Sequence, residues 1–187
     1  MGDILSINIP PLNPPQGSTC PYVYASNVFT EEQLDSIEEL GEDVVEYNES
    51  YRKSLVTTIP DNPNTGWMFN LLSRVVHQLN CEYYRFNLSV LDTIQYAFYD
   101  SNSGGKYDWH HDYNEGPSPA RKLTVIVQLS DPSDYEGGEL EVYPDVQIPK
   151  TKGLVAMFPS FLYHRVKPVQ KGSRKALVAW VWGPPFA

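Results

Sequence analysis

The chain is poor in several features, and each shortage excludes a class of protein. No apolar run approaches the roughly 20 residues of a membrane-spanning helix, so we expect no membrane insertion. Only two cysteines occur in 187 residues, which argues against the disulfide framework of a small secreted domain. The N-terminus shows neither the basic region nor the apolar core of a signal peptide. We therefore expect a cytoplasmic protein.

Basic residues are also scarce, and they are unevenly distributed. The 14 Lys and Arg stand against 23 Asp and Glu, for a net charge of −9. Residues 1–119 hold five basic and seventeen acidic residues (5 − 17 = −12), whereas residues 120–187 hold nine and six (9 − 6 = +3). Binding to nucleic-acid phosphates needs a cationic face, so nucleic acid is a poor candidate partner. The basic C-terminal third suits a pocket for a small anion, although a solvated charged surface would leave the same pattern.

Aromatic residues and turn-formers are present in quantity. Thirteen Tyr help to bring the aromatic fraction to 13%, and 16 Pro with 12 Gly divide the sequence into short segments. This composition favours β-strands and turns over a helical bundle. The length suits one domain with its own hydrophobic core, and we expect a single domain over residues 1–187.

The N-terminal part, residues 1–87, is predicted to be a variable, largely helical support. Residues 1–22 contain five Pro and predict an extended lead-in. Thr30, with a Gln three residues later, has the pattern of a capping box at the start of a helix. A strand pair is predicted over residues 43–60 and a second amphipathic helix over residues 66–80.

The C-terminal part, residues 88–187, is predicted to be the β core. Its residues 88–99 and its nearly continuous apolar run 123–129 predict two strong strands. Many short strands after a helical part are typical of a mainly β (α+β) fold, here a double-sheet, cupin-like jelly roll with helices against one sheet. The further short strands are predicted at residues 139–143, 145–149, 153–158, 162–167 and 175–182.

A His-x-Asp pair carries the strongest chemical signal. Alternate residues of an extended segment share a face, so His110 and Asp112 point the same way, roughly 6–7 Å apart. Two such side chains hold a metal ion from one side only, and His164 is the candidate third ligand. Two imidazoles and one carboxylate on one face of an octahedral ion are typical of non-haem Fe(II) oxygenases. Alone the pair is a weak signal, since chance gives it in about one such chain in four.

Two further residues around this pair need an interpretation. Alternation places His111 on the opposite face from Asp112, so we interpret it as a rim residue rather than a ligand. Arg174 follows His164 by ten residues, at the start of a predicted strand. A guanidinium there can form a bidentate pair with the far carboxylate of a bound 2-oxoglutarate, worth roughly 1.5–3 kcal/mol. The alternative, an exposed cation in a Gly-Ser-Arg-Lys turn, is less favoured because three candidate ligands lie upstream.

From about residue 88 to its end the chain resembles the prolyl 4-hydroxylase-like branch of the 2-oxoglutarate- and Fe(II)-dependent dioxygenases. The ordered pieces that carry the resemblance cover just over half of the chain. They are Gln95-x-Ala97-x-Tyr99, Gly104-Gly105-x-Tyr107-x-x-His110-x-Asp112, Leu129-Ser130-Asp131, Gly137-Gly138-Glu139-Leu140, Phe158-Pro159-Ser160, His164, Arg174 and Trp180.

The resemblance implies a fold and a set of roles. The fold would be a double-stranded β-helix, with His110, Asp112 and His164 as iron ligands and Arg174 on the C5 carboxylate of 2-oxoglutarate. The remaining implied positions are pocket and substrate residues: Tyr99 and Tyr107 would line the co-substrate pocket, and Trp180 would lie near the substrate. Where some relatives have a Tyr that partners this carboxylate, the chain has Gln128, so another donor would be needed.

The resemblance also implies an activity. The enzyme would hydroxylate an unactivated C–H bond while it converts 2-oxoglutarate and O2 to succinate and CO2, with Fe(II) and, as a further candidate, ascorbate as cofactors. The first candidate substrate is a prolyl residue of a peptide or protein, and a loop over residues 47–66 that contains Arg52 is a candidate cover for a peptide groove. Tyr99, Tyr107, Phe158 and Trp180 are candidates for the wall of a dry pocket, or for plain core.

Three alternatives remain open from the sequence. The substrate can be a free amino acid or another small molecule instead of a peptide. Demethylation of a nucleic-acid base is disfavoured by the acidic N-terminal half. A non-enzymatic jelly-roll binding module is disfavoured because the set of candidate ligands is intact. The oligomeric state is not indicated by any sequence feature.

Overall fold

The computed structural model describes residues 21–40, 45–113 and 120–184. The predicted lead-in over residues 1–22 therefore lies almost entirely outside the described residues. In chain order the elements are β1 (Val23–Ala25), α1 (Glu31–Glu38), β2 (Val45–Asn48), β3 (Arg52–Ile59), α2 (Gly66–Leu79), a π-helical turn (Asn80–Tyr84), β4 (Val90–Asp100), β5 (Lys106–His110), β6 (Ala120–Gln128), β7 (Tyr135–Gly137), β8 (Leu140–Val142), β9 (Val146–Gln147), β10 (Val155–Pro159), β11 (His164–Val166) and β12 (Val169–Gly183).

The strands form one antiparallel sheet that curls on itself. Its order is β1-β10-β6-β12-β4-β3-β5-β11-β8-β9, with β2 added to β3 and β7 added to β12. Phe158 of β10 lies near one end of this order and Leu140 of β8 near the other, yet both belong to one buried cluster. A sheet whose two ends share a core has folded into two facing layers, as in a jelly roll. The predicted fold class is confirmed.

Both helices pack against the outer face of the larger layer. Leu34 of α1 and Leu72 of α2 are buried with Ile94 of β4 and Val125 of β6 in a second cluster. Neighbouring residues of β4 separate the two clusters, because successive side chains of a strand point to opposite faces. Tyr96 belongs to this helix-covered cluster, whereas the residue after it faces the jelly-roll interior. No described helix has the length and apolar character required to cross a bilayer.

Local sequence signals predict the elements around the helices well. The capping box of α1 is present: the Gln33 backbone N–H donates to Thr30 Oγ1 at 3.2 Å, and the Thr30 N–H donates to Gln33 Oε1 at 3.0 Å. The predicted strand pair appears as β2 and β3, and the second helix as α2. The N-terminal part contributes more than helices, because β1 pairs with β10 and β3 with both β4 and β5.

Strand β12 is longer than predicted and begins at Val169 instead of residue 175. Its early residues pair with β7, which is too short to leave a periodic signal in the sequence. Gly172 lies in this paired region with φ at +68°, and a Cβ there would approach the Asp134 carbonyl oxygen to 2.0 Å. A glycine is therefore required where β7 and β12 meet.

We expect Gly172→Ala to destabilise the protein more than Gly104→Ala. Gly104 has nearly the same φ, +69°, but a Cβ there would meet nothing closer than 3.9 Å. The left-handed backbone conformation alone should lower the free energy of unfolding of Gly104→Ala by about 1–2 kcal/mol. Overpacking should add about 1–3 kcal/mol for Gly172→Ala. Urea unfolding measures both, and equal losses would contradict the close approach.

Candidate functional site

The three candidate metal ligands of the sequence lie together. Strand β5 ends at His110 and the neighbouring β11 begins at His164, and these two residues are directly opposite in the antiparallel register. Asp112 follows β5 by two residues and is 3% exposed. Its Oδ1 lies 3.8 Å from His110 Nε2, and its Oδ2 lies 3.5 Å from His164 Nε2. The three potential ligand atoms all lie within 4.8 Å of one another, which is a suitable spacing for one metal ion.

Both imidazole rings are oriented by backbone carbonyls. His110 Nδ1 lies 2.8 Å from the Asp108 carbonyl oxygen, and His164 Nδ1 lies 3.0 Å from that of Leu162. A carbonyl oxygen only accepts, so each Nδ1 must carry the proton and donate. In the neutral tautomer with this proton, the lone pair is on Nε2, which is the ring atom nearer to Asp112 and the form in which histidine binds a metal.

The carboxylate of Asp112 is held by Thr124, which the sequence analysis did not name, and by Ser160, to which it gave no role. Thr124 Oγ1 donates to Asp112 Oδ2 at 2.7 Å and lies 3.0 Å from Ser160 Oγ. The Asp112 backbone N–H donates to the Ser160 carbonyl oxygen at 2.9 Å. Thr124 and Gln128 are the two polar residues in the otherwise apolar run 123–129, and this interruption was the one signal for Thr124 available in the sequence.

The charges of the triad depend on one another. Burial by itself would raise the pKa of Asp112, but the two histidines and the hydrogen bond from Thr124 lower it below its usual value. Burial, together with the nearby His164, lowers the pKa of His110 to about 4. At neutral pH the site thus holds a carboxylate beside an uncharged His110 imidazole. These are the protonation states that metal binding requires.

The triad opens into a cavity of about 500 Å³ inside the jelly roll. Alternate residues of β12 form one wall, from Arg174 at one end through Ala176 and Val178 to Trp180. The predicted pocket residues Tyr99, Tyr107, Trp180 and Arg52 all line this cavity. Phe158 does not, and is fully buried core with its ring 4.8 Å from that of His164.

Arg174 is buried, at 2% exposure, and not an exposed cation in a turn. It lies within β12, opposite Tyr99 of β4, with its guanidinium 5.5 Å from the Tyr99 ring centroid. Its Nη2 donates to Gln128 Oε1 at 2.8 Å. Its Nε is buried and has no hydrogen-bond partner among the described residues. A buried guanidinium without a carboxylate partner is suited to receiving one from a ligand.

Two residues contact Arg174 near the position where some relatives have a Tyr and this chain has Gln128. Gln128 has no hydroxyl to offer a ligand; its Oε1 accepts from the Arg174 guanidinium and so orients it. Gln128 Nε2 donates to the Pro149 carbonyl oxygen at 3.3 Å. Tyr135 of β7 also interacts with Arg174; burial raises the pKa of this tyrosine although the nearby guanidinium opposes the change. Sequence reasoning missed Tyr135 because it lies in a segment rich in turn-forming residues.

The remaining aromatic residues flank the triad on two sides. The Tyr107 ring stacks on that of His110 at 3.5 Å between centroids. The Arg52 guanidinium lies over Tyr107 at 4.5 Å. On the other side, the Trp180 indole is close enough to Asp112 to help lower its pKa, although Trp180 Nε1 has no hydrogen bond of ordinary geometry among the described residues.

The other two histidines of the chain lie outside the triad. The His111 ring is edge-on to Tyr163 at 5.1 Å and is not part of the group of three potential ligands. His77 is exposed on α2, where its Nε2 lies 3.7 Å from Cys81 Sγ.

An antiparallel jelly roll with two imidazoles and a carboxylate beside an internal cavity defines a class of proteins, the mononuclear non-haem metal oxygenases. Residues 94–182 match the profile of the 2OG-Fe(II) oxygenase superfamily. This stretch is therefore similar to that superfamily.

The chain is also similar to known hydroxylases. A PKHD-type hydroxylase of Synechococcus sp. is 35% identical over 86 residues, and one of Pseudomonas fluorescens is 36% identical over 87 residues. The aligned part covers 43% and 42% of this chain, and the chain spans only 38% of the length of either relative.

Solved structures confirm the fold over nearly the whole chain. A Pseudomonas putida prolyl-4-hydroxylase has a TM-score of 0.70 at 15% identity, over 89% of this chain and 94% of that one. A Trichoplax adhaerens prolyl hydroxylase in complex with a hypoxia inducible factor peptide has a TM-score of 0.72 at 17% identity, over 87% and 84%. At these identities the likeness concerns the fold.

The side chains fit the cofactors that this superfamily uses, which are Fe(II), 2-oxoglutarate and O2. Two Nε2 atoms and a carboxylate match the preference of Fe(II) for imidazole and oxygen ligands. The buried guanidinium of Arg174, with its unpartnered Nε, matches one carboxylate of a dicarboxylic acid.

We expect metal affinity to depend on the triad and on Thr124. His110→Ala, Asp112→Ala or His164→Ala should abolish tight binding of Mn(II), measured by calorimetry, because each removes one of three ligands. Thr124→Val should weaken binding by about 10–100-fold, since it removes the hydrogen bond that orients Asp112.

His77→Ala is the matched control for these variants, because His77 is exposed on α2 outside the triad. It should bind Mn(II) like the wild-type protein. Wild-type affinity in Asp112→Ala would remove that residue from the metal site.

Proposed function

We propose that the chain is a 2-oxoglutarate-dependent Fe(II) dioxygenase that hydroxylates an unactivated C–H bond. In the balanced reaction, R–H, O2 and 2-oxoglutarate give R–OH, succinate and CO2. The convergence of His110, Asp112 and His164 on one point carries this proposal. The first candidate substrate is a prolyl residue of a peptide or protein.

The triad would hold the metal ion through His110 Nε2, His164 Nε2 and a carboxylate oxygen of Asp112. Bound Fe(II) supplies the activation of O2, which protein side chains alone cannot provide. The backbone carbonyls behind the two rings fix a proton on each Nδ1, so that each Nε2 would be the atom that binds the metal. Thr124 donates to the carboxylate and would hold it in one orientation towards the metal.

Arg174 would bind the C5 carboxylate of 2-oxoglutarate. Gln128 accepts from one side of its guanidinium and Tyr135 also interacts with it, which leaves the Nε donor for the ligand. Tyr99 and Tyr107 both line the cavity, Tyr99 opposite Arg174 and Tyr107 stacked on His110, so they are suitable walls for the co-substrate pocket. Burial of the guanidinium strengthens a charge-assisted pair, because water competes poorly there.

Apolar side chains of the cavity would keep bulk water from the reacting groups. Five apolar residues from four strands line it between Arg174 and the triad: Ile126, Leu140, Val166, Ala176 and Val178. Trp180 extends this wall on the Asp112 side. A site lined in this way favours reaction of the bound substrate over side reactions with solvent.

Two observations support a peptide as substrate. The Trichoplax adhaerens neighbour is described with a bound peptide fragment, which supports a peptide site in a fold of this shape. Arg52 and Tyr51, on and beside the β2–β3 hairpin, line the cavity as the predicted cover of a peptide groove would. A free amino acid or other small molecule is the second candidate, since a cavity of about 500 Å³ has the size of a small-molecule site. The ascorbate requirement and the cytoplasmic location stay predictions.

The purified protein with Fe(II) and 2-oxoglutarate should release succinate, and products in a peptide panel should gain one oxygen atom, detected by mass spectrometry. Asp112→Ala should form neither product. Arg174→Ala should raise the KM for 2-oxoglutarate by about 10–100-fold, because a charge-assisted pair worth about 1.5–3 kcal/mol is lost.

Arg174→Lys serves as the matched variant, because it keeps the charge and loses only the planar fork. Its KM should lie between those of the wild type and Arg174→Ala. An unchanged KM in Arg174→Ala would exclude the proposed role of Arg174, and absence of any 2-oxoglutarate turnover with all substrates would favour a binding module.

A further inference from the structure

The two imidazoles of the triad are enclosed to different degrees. The side chain of His110 is 14% exposed, whereas that of His164 is 5% exposed. The His164 ring packs against Phe158, which is fully buried, at 4.8 Å between ring centroids. The His110 ring is covered instead by Tyr107, at 3.5 Å between centroids and 13° between the ring planes. The orientation of His110 therefore depends on what holds Tyr107 in place.

Tyr107 is held by Arg52 of the β2–β3 hairpin, which spans residues 45–59. The Arg52 guanidinium lies 4.5 Å from the centroid of the Tyr107 ring and 4.2 Å from that of the Tyr47 ring. Its Nε donates to the Oγ of Ser54, a buried residue, at 2.9 Å, which fixes the guanidinium plane. Arg52 is also directly opposite Tyr107 in the register of β3 and β5. A continuous row of contacts, which we call the hairpin stack, thus runs from Tyr47 through Arg52 and Tyr107 to His110.

A backbone connection joins the same hairpin to the same histidine. The Asp108 backbone N–H donates to the carbonyl oxygen of Tyr51, in the hairpin turn, at 2.8 Å. The Asp108 carbonyl oxygen lies 2.8 Å from His110 Nδ1 and accepts its proton. The partner behind a metal-binding histidine fixes the tautomer and the orientation of its ring. The hairpin thus contacts both the residue that covers His110 and the residue that orients it.

We propose that the β2–β3 hairpin is part of the metal site, and that Arg52 is a positioning residue for His110 that acts through Tyr107. The proposal rests on the proposed function, since it takes His110 as a metal ligand. The charge of Arg52 by itself would repel a metal cation. The benefit of an arginine at this position must therefore come from its planar guanidinium, which stacks on aromatic rings as an ammonium group does not. This role differs from a contact with substrate, because it affects metal binding when no substrate is present.

The test measures metal binding without 2-oxoglutarate or substrate. Mn(II) affinity is measured by calorimetry, and the electron paramagnetic resonance spectrum of the Cu(II) form reports the geometry of the ligands. Arg52→Lys keeps the charge and removes the planar group. It should weaken Mn(II) binding by about tenfold, at the lower end of the effect of losing a partner behind a ligand, and it should change the Cu(II) spectrum.

A second pair of variants tests the hairpin stack from its other end. Tyr47→Leu removes the ring beneath Arg52 and should change affinity and spectrum in the same direction, whereas Tyr47→Phe keeps the ring and should match the wild type. This pair decides the question if Arg52→Lys does not fold. Arg74→Lys is the matched control, because Arg74 is exposed on α2 and does not line the cavity, and it should match the wild type in both measurements.

The possible results distinguish this role of Arg52 from the proposed function. If the wild type binds Mn(II) and Arg52→Lys shows the same affinity and the same Cu(II) spectrum, Arg52 is excluded as a positioning residue and the proposed function stands. A change confined to the KM for substrate would likewise exclude it and would make Arg52 a substrate contact only. If the wild type binds no Mn(II), the proposed function fails first, and the role of Arg52 fails with it.

Discussion

The pairing of β5 with β11 is the interaction on which the site depends. It places His110 opposite His164, so two residues that are distant in sequence face one Asp112 carboxylate at 3.5–3.8 Å. The carboxylate is nearly fully buried, and a buried charge is costly unless it is paired or coordinates a metal. The same register therefore brings the three potential ligands together and buries a negative charge that a bound cation would stabilise.

Arg174 adds a second constraint at the closed end of the cavity. A buried guanidinium is also costly without partners, and Gln128 satisfies only part of its donors. The protein thus maintains a carboxylate at one point of the cavity and a guanidinium at another, with apolar side chains between them. A molecule that chelates a metal at one end and carries a carboxylate at the other would bind both the metal held by Asp112 and the guanidinium of Arg174. 2-Oxoglutarate has this shape and this charge.

Features with a local signal were predictable, and features created by long-range pairing were not. Strand alternation placed His110 and Asp112 on one face and excluded His111, and the capping pattern located α1. The Gly-Ser-Arg-Lys stretch was ambiguous, because it has the composition of a turn while β4 and β7 hold it within a long strand. The contact between Arg174 and Gln128 joins residues 46 positions apart, and no local sequence pattern predicts it. The roles of these site residues stay proposals until they are measured.

An anaerobic titration followed by visible absorption is the most direct test of the metal site. Chelation of Fe(II) by a 2-oxo acid produces a charge-transfer band that neither component shows alone. We predict that the band appears only when Fe(II) and 2-oxoglutarate are both present, is absent in His164→Ala, and requires more 2-oxoglutarate in Arg174→Ala. Absence of the band in the wild-type protein, or its persistence in His164→Ala, would contradict a metal site built from β5 and β11.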